Sequence, residues 1–265
     1  MKNGISDSSP ERPTNPKIGL FVTCLIDLYR PNVGFAAVKL LEDAGCSVAV
    51  PDAQTCCGQP AMNNGDYKTS RDIARQVIES FESFDYVVGA SGSCMGTIKT
   101  HYPDLFKDDP HWQARANDLA MRSYELVSFL TDVIGIEKVQ ASYEGIVTYH
   151  DSCSGLRELG IKQQPRKLLK SVKGLEIDEM DNSEICCGFG GTFCVKYPEI
   201  STRLVSDKVE CIDKTRATTL LGADMGCLLN MSGRLKRLNK DVRVYHVIEV
   251  LADMTDLPGI GDGEG

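Results

Sequence analysis

Two Cys-Cys-Gly triplets, Cys56-Cys57-Gly58 and Cys186-Cys187-Gly188, stand 130 residues apart, each between two lone cysteines. Cys24 precedes the first pair with 31 residues between, and Cys153 precedes the second with 32. Cys94 follows the first pair after 36 residues, and Cys227 follows the second after 39. Side-chain packing does not require four thiols per half in one order and at one spacing. The pattern reads as two soft-metal sites, foremost iron–sulfur clusters, on two copies of one unit. Adjacent cysteines in a turn can reach two irons of one cluster or one iron twice. Gly58 and Gly188 relieve crowding where backbone passes close to inorganic atoms.

Three other chemistries use the same residues. Cys₄ sets bind Zn²⁺ tetrahedrally, although zinc knuckles use short Cys-x₂₋₄-Cys spacings that this chain lacks. A vicinal disulfide in each pair would leave Cys24 and Cys94 unexplained. A thiol–disulfide reductase would use the pairs directly. Cys46, Cys194 and Cys211 have no counterpart in the other half and are expected as small buried side chains. His150, beside Asp151 and just ahead of Cys153, is either a donor to cluster sulfur, a proton carrier or a structural hydrogen bond. His246 is expected in the core, and His101 and His111 at the surface. The turn Gly188-Phe189-Gly190-Gly191 lacks the G-x-G-x-x-G spacing of a dinucleotide loop. No Ser-His-Asp set or paired carboxylates mark a hydrolase.

The elements that must gather these thiols alternate between strand and helix. Segments 18–23, 48–50 and 85–90 carry strand patterns, and 32–44 and 66–84 carry helical spacing. In the second half, 145–150, 175–180 and 217–222 read as strands or lead-ins, and 166–172 and 200–215 as helices. Segments 124–134 and 242–251 are amphipathic and close their halves, with Tyr124 and Tyr245 in matching places. The stretch 103–117, with Pro103, Pro110 and several Asp, reads as a surface loop, and 137–144 as a linker. The expectation is an α/β protein: two pseudo-symmetric βαβ-type lobes, 17–136 and 145–254, with mainly parallel sheets and tails at 1–16 and 255–265. The cysteines follow strand ends, and α/β sites form outside the carboxyl ends of strands.

Composition fits this. The chain has 265 residues, 42% of them hydrophobic and 25% charged, enough for a packed core. Its net charge of −8 disfavours nucleic acid, which binds clustered Lys and Arg. The basic run 234–240 reads as one wet helix face. No window reaches the roughly 18 apolar residues of a spanning helix, and no export signal is evident. A cytoplasmic location is expected, where eleven cysteines suit metal or redox chemistry better than disulfides.

The twice-repeated order of lone Cys, Cys-Cys-Gly, then Cys resembles the cysteine-rich (CCG) domain proteins, the family to which part of heterodisulfide reductase belongs. Tyr149-His150-Asp151-Ser152-Cys153, Cys186-Cys187-Gly188-Phe189-Gly190-Gly191-Thr192-Phe193 and Ala223-Asp224-Met225-Gly226-Cys227 carry the likeness, which extends over about residues 17–254. The resemblance implies an iron–sulfur, electron-transfer subunit of a cytoplasmic L-lactate oxidation system. It would act with a larger ferredoxin-like iron–sulfur protein and a third small subunit, with no activity alone. The implied ligands are Cys24, Cys56, Cys57 and Cys94, then Cys153, Cys186, Cys187 and Cys227. They would hold one cluster per repeat, with zinc as the alternative at one site. The family pattern ends Cys-x-x-Cys, whereas Ser91 and Asp224 hold the first of those positions here. Four thiolates suit a [4Fe–4S] cubane, with the Ser91 or Asp224 oxygen as a weaker extra ligand. Ser154 stands where the family often has His after the lone cysteine.

Overall fold

The computed structural model describes residues 13–262. Apolar runs such as Gly-Leu-Phe, Val-Val-Gly and Leu-Leu-Gly form strands buried on both faces, as parallel sheets demand. Leu20, Phe21, Val87, Val88, Leu220 and Leu221 are all at most 2% exposed. The strands are β1 (Lys17–Phe21), β2 (Ser47–Ala49), β3 (Tyr86–Gly89), β4 (Ser123–Glu125), β5 (Ser142–His150), β6 (Lys173–Ile177), β7 (Thr219–Gly222) and β8 (Arg243–His246). They make two four-stranded, wholly parallel sheets, ordered β2-β1-β3-β4 and β6-β5-β7-β8. The chain is therefore α/β, with one topology used twice.

Register repeats along with topology. Phe21 pairs with Gly89, and His150 pairs with Gly222, at the carboxyl ends of the two central strands. Tyr124 lies opposite Val88, and Tyr245 opposite Leu221. Crossover helices cover the sheets. Helix Pro31–Asp43 buries Val33, Ala36, Ala37, Leu40 and Leu41 on one stripe. Helix Tyr67–Phe81 starts at Asp66, whose carboxylate accepts from Thr69 N at 3.1 Å. Its counterpart in the second lobe is Pro198–Asp213.

Four segments differ from the sequence expectation. Residues 103–117 are not a loop, because helices Tyr102–Leu105 and Pro110–Met121 occupy them. Pro110 sits in a first turn, where a missing N–H costs nothing, whereas Pro103 lies inside the continuous helical run 92–105, just after the π-turn Thr97–His101. Asp109 caps the second helix by accepting from Trp112 N at 3.3 Å. Segments 124–134 and 242–251 each divide into a short strand and a helix, Leu126–Ser128 with the π-turn Phe129–Val133 in one, Val247–Leu251 in the other. Residues 255–262 pack on the second lobe: Ile260 is 3% exposed and its N–H donates to Val244 O at 2.7 Å. Residues 1–12 and 263–265 of the expected tails lie outside the described residues.

The lobes share a core. One apolar cluster contains Ile18, Leu20, Val88 and Leu126 together with Val147, Tyr149, Leu220 and Val244. A second cluster, including Phe21, Val77, Phe81 and Tyr102, is built from first-lobe residues, with Leu159 of the second lobe packed against it. Polar bonds also cross. Arg30 Nε and Asn32 Nδ2 donate to Glu249 Oε1 at 2.8 and 2.9 Å. His246 Nε2 lies 3.1 Å from Ala90 O. No helix among the described residues is long and apolar enough to cross a membrane.

Candidate metal centres

Each lobe delivers its four thiols from three strand ends. Cys24 opens helix Cys24–Tyr29 just after β1, where Thr23 Oγ1 accepts from Ile26 N at 3.4 Å. Cys153 opens Cys153–Arg157 just after β5, where Ser152 Oγ accepts from Gly155 N at 3.2 Å. The Cys-Cys pairs follow β2 and β6 in sequence. Gly58 and Gly188 adopt φ of +80° and +83°, a left-handed turn that reverses the chain beside the sulfurs. Cys94 and Cys227 lie in the first turns of Gly92–Gly96 and Met225–Arg237, after β3 and β7. Strand order reverses between β1 and β3, and again between β5 and β7, which opens the crevice where α/β ligands bind.

The sulfurs of each set follow one another as neighbouring pairs round their cleft. Cys24 and Cys56 Sγ are 3.9 Å apart, and Cys57 contacts both Cys56 and Cys94. Cys153 contacts Cys186, which contacts Cys187, which contacts Cys227. All eleven cysteines are free thiols, so neither pair forms a vicinal disulfide in this structure. Donation from Cys24 and Cys57, helped by the Gly58 and Cys57 N–H groups, holds the Cys56 thiol well below its ordinary range. Cys153 and Cys187 do the same for Cys186, and Gly188 N donates to its Sγ at 3.3 Å. As donors, Cys24 and Cys153 are pushed up, with burial adding to the effect. Side chains brace the pairs: Tyr102 Oη donates to Cys57 O at 2.8 Å, and Asn230 Nδ2 to Cys187 O at 2.9 Å.

The two thiol sets line adjoining clefts of about 180 and 280 Å³. Gln59, Ser93, Phe189, Gly191 and Asp224 belong to the walls of both. Asp224 Oδ2 accepts from Ser93 N at 2.9 Å and from Ser91 Oγ at 3.2 Å, so the carboxylate spans the lobes. Ser91 Oγ in turn accepts from Cys94 N at 3.3 Å. The two positions that replace cysteine are thus bonded to each other. Glu158 and Asp224 supply carboxylates to the cleft walls, and neither cleft is lined by Lys or Arg.

His150 is 1% exposed, and neither ring nitrogen has a hydrogen-bond partner. A ring nitrogen and the sulfurs of Cys187 and Cys227 lie within 4.8 Å of one another. Burial, reinforced by the Lys208 charge, lowers its imidazole to about 3. His246 is buried and caps Val247–Leu251 by accepting from Ile248 N. His101 faces Glu158 at 3.6 Å, and His111 is exposed. Cys46 is buried, whereas Cys194 and Cys211 are half-buried. The Cys194 Sγ donates to Gly191 O at 3.2 Å on the Gly-rich turn. Arg234, Lys236 and Arg237 of the basic run occupy the last turn of Met225–Arg237.

Four positions near the sites escaped sequence reasoning. Arg166 grips Asp151 at 2.8 and 2.9 Å and Glu179 at 2.6 and 2.9 Å, tying together the segments before Cys153 and Cys186. Lys208 is 1% exposed and donates to Asn182 O and Ser183 O in the loop before Cys186. Glu125 is buried, and burial raises its carboxyl to about 7. Tyr102 lay in the stretch adjoining the supposed loop. No local motif marks Arg166, Lys208 and Tyr102, because each acts on a partner distant in sequence, whereas Glu125 acts locally, accepting from Val127 N and Ser128 N.

Soft sulfur donors, four to a set and bent round two clefts at strand ends, suit a metal or metal–sulfur group. Residues 18–99 and 147–232 match the family model described as Cysteine-rich domain (CCG), and the chain belongs to that family. Its relatives include proteins named Lactate utilization protein A from Geobacillus kaustophilus (51% identical), Bacillus subtilis (48%) and Oceanobacillus iheyensis (48%). Each alignment covers 89% of this chain and 96–98% of the relative. Among solved structures, a hypothetical protein from Helicobacter pylori shares the fold with a TM-score of 0.62 at 11% identity. That alignment covers 93% of this chain, which spans about half (52%) of that one.

Proposed function

We propose that this protein acts in lactate utilisation, as the iron–sulfur electron-transfer subunit of a cytoplasmic L-lactate oxidation system. The observation that carries this is the pair of four-thiol sets, Cys24, Cys56, Cys57, Cys94 and Cys153, Cys186, Cys187, Cys227, on one shared wall. The names of relatives about 50% identical supply the lactate connection. Bound iron–sulfur clusters, one per lobe and most simply [4Fe–4S], would supply one-electron oxidation and reduction. The chain's own part is to hold the thiolates, to aim Gly58 and Gly188 N–H groups at sulfur, and to exclude water from Cys57, Cys94, Cys187 and Cys227. A larger ferredoxin-like iron–sulfur protein and a third small subunit complete the system in this reading. Eleven free thiols suit a reducing compartment.

The chain alone should not oxidise lactate, because the cleft walls offer a substrate carboxylate no Lys or Arg, only the Glu158 and Asp224 carboxylates and a His101 that already faces Glu158. Cys57 and Cys187, each 2% exposed, also disfavour direct thiol–disulfide exchange. One observation favours a second reading for one lobe: His150, Cys187 and Cys227 lie close enough to share a zinc ion. Iron, zinc and acid-labile sulfide counts with Mössbauer spectra, on protein prepared without oxygen, test both. Iron and sulfide in both lobes are expected. Zinc without sulfide would overturn the electron-transfer reading, and iron in one lobe with zinc in the other would establish the mixed one.

A further inference from the structure

The two lobes match strand for strand, but the surroundings of their thiols do not. The last residue of the central strand is Phe21 in the first lobe and His150 in the second, fixed by the matched pairings to Gly89 and Gly222. A second position differs in the same sense. Gly58 abuts Ser70 on helix Tyr67–Phe81, and Gly188 abuts Ser201 on helix Pro198–Asp213. Seven residues beyond these serines stand Val77 and Lys208, each at most 1% exposed. The first centre is thus backed by a phenyl ring and an isopropyl group. The second is backed by an imidazole with no partner for either nitrogen and by the Lys208 ammonium, which donates to Asn182 O and Ser183 O in the loop leading to Cys186.

An imidazole buried without a partner forfeits the roughly 1–3 kcal/mol that an unsatisfied buried polar group costs. Such an atom in a well-formed site points to a group that satisfies it when present. The neighbours of this ring are the sulfurs of Cys187 and Cys227. Thiolate and inorganic sulfur accept hydrogen bonds, and N–H donors and cations beside them stabilise the more negative, reduced state.

We infer that His150 donates a ring N–H to sulfur of the group held by Cys153, Cys186, Cys187 and Cys227, and that with Lys208 it makes this lobe the more easily reduced of the two. The first lobe, lacking both, holds the lower-potential centre. Electrons entering the protein collect beside Cys187 and Cys227. The inference rests on the iron–sulfur reading and concerns which lobe takes the electron.

Redox titration followed by electron paramagnetic resonance tests it, on the full chain prepared without oxygen. Iron and sulfide are counted first on the unaltered protein. Their absence overturns the cluster reading itself, and this inference falls with it before any variant is made. With clusters present, His150→Phe installs the first lobe's residue. It is expected to keep iron and sulfide and to lower the midpoint of the higher-potential centre alone. The expected size is at least tenfold in its reduction equilibrium, or about 59 mV for one electron. His150→Gln, which retains an N–H donor, should recover most of that shift. Lys208→Met should move the same centre in the same direction. Unmoved midpoints in His150→Phe and Lys208→Met overturn the inference. So does loss of iron from His150→Phe, which would make the imidazole a ligand, or a shift confined to the lower-potential centre.

Discussion

A thiol is worth most to a metal where its backbone is held still. Cys57 and Cys187 are the buried members of the two pairs, each with its carbonyl fixed by a side chain from a distant helix. Replacing either with Ser exchanges a soft donor for a hard one. Cys57→Ser should lower iron content in the first lobe first, and Cys187→Ser in the second. Spectra that lose both signals equally in each variant would mean one shared site. The following glycines separate by surroundings. Both need a positive φ, which costs a residue with a Cβ roughly 1–2 kcal/mol. A Cβ at Gly58 would meet Ile73 Cγ2 at 3.3 Å, a side chain with room to turn. At Gly188 it would meet the Ser201 carbonyl oxygen at 2.7 Å, in backbone that has none. Gly188→Ala should therefore destabilise by more than about 2 kcal/mol, and Gly58→Ala by less, in urea unfolding of the metal-free chain. Equal costs would contradict the argument. The eight paired cysteines were visible in the sequence because duplication repeats their spacing. His150 was visible only as a question, since a strand-end histidine declares nothing until its neighbours are known. Lys208 was not visible at all: on helix Pro198–Asp213 it reads as a solvated charge, and only packing shows it inside.

At the level of elements, strands and long helices were legible because burial on both faces or on one stripe writes itself into apolar periodicity. The closing segments were not. In 124–134 and 242–251 a strand of three or four residues runs straight into a helix, and neither period has room to declare itself. Each junction is capped by a side chain from the strand's last residue. Glu125 Oε2 accepts from Val127 N at 3.0 Å and Ser128 N at 3.1 Å, and His246 accepts from Ile248 N. Glu125 Oε1 has no partner. Burial raises this carboxyl from 4.5 to about 7, against the pull of those two N–H groups. The folded state therefore binds the proton more tightly than the unfolded chain. The stabilisation is fully present below about pH 4.5 and is lost as pH rises towards 7. Its full size is on the order of 3 kcal/mol. Burial lowers His150 and His246 to about 3 and 4, which acts oppositely: their neutral forms favour folding above pH 6.5, and that stability is lost as pH falls. The Glu125 contribution is isolated by comparison with Glu125→Gln, which keeps the capping oxygen and removes the charge. The variant should gain stability relative to the parent as pH rises from 5 to 7, and a constant difference across that range would refute the assignment.

For the whole molecule, duplication in sequence suggests two separable units, and the packing says otherwise. The duplication is legible because cysteine spacing and strand order repeat. The shared core is not, because the cluster that holds Leu126 together with Val147 and Tyr149 is built from faces that each lobe alone would leave bare. Glu249 makes the dependence concrete. Its side chain is fully buried, and its Oε1 takes hydrogen bonds from Arg30 and Asn32 of the other lobe while Oε2 accepts from His246 N at 3.0 Å. Removing one partner of a buried ion pair leaves the other charge uncompensated, at a cost of about 3–5 kcal/mol. Arg30→Ala should lower stability by that order, or roughly 6–20 °C in Tm for a chain of this size. The loss should appear in the single transition of the whole chain, since neither lobe can melt without exposing the common core. Calorimetry of the metal-free variant decides it. One displaced transition fits a cooperative molecule. Two transitions, with only the second-lobe one displaced, would mean that the lobes fold apart and that Arg30–Glu249 merely docks them. Cooperativity of this kind also bears on the clefts, because Ser91, Ser93 and Asp224 join the two walls across the same boundary. A lobe that opened alone would separate the thiol sets it is built to keep side by side.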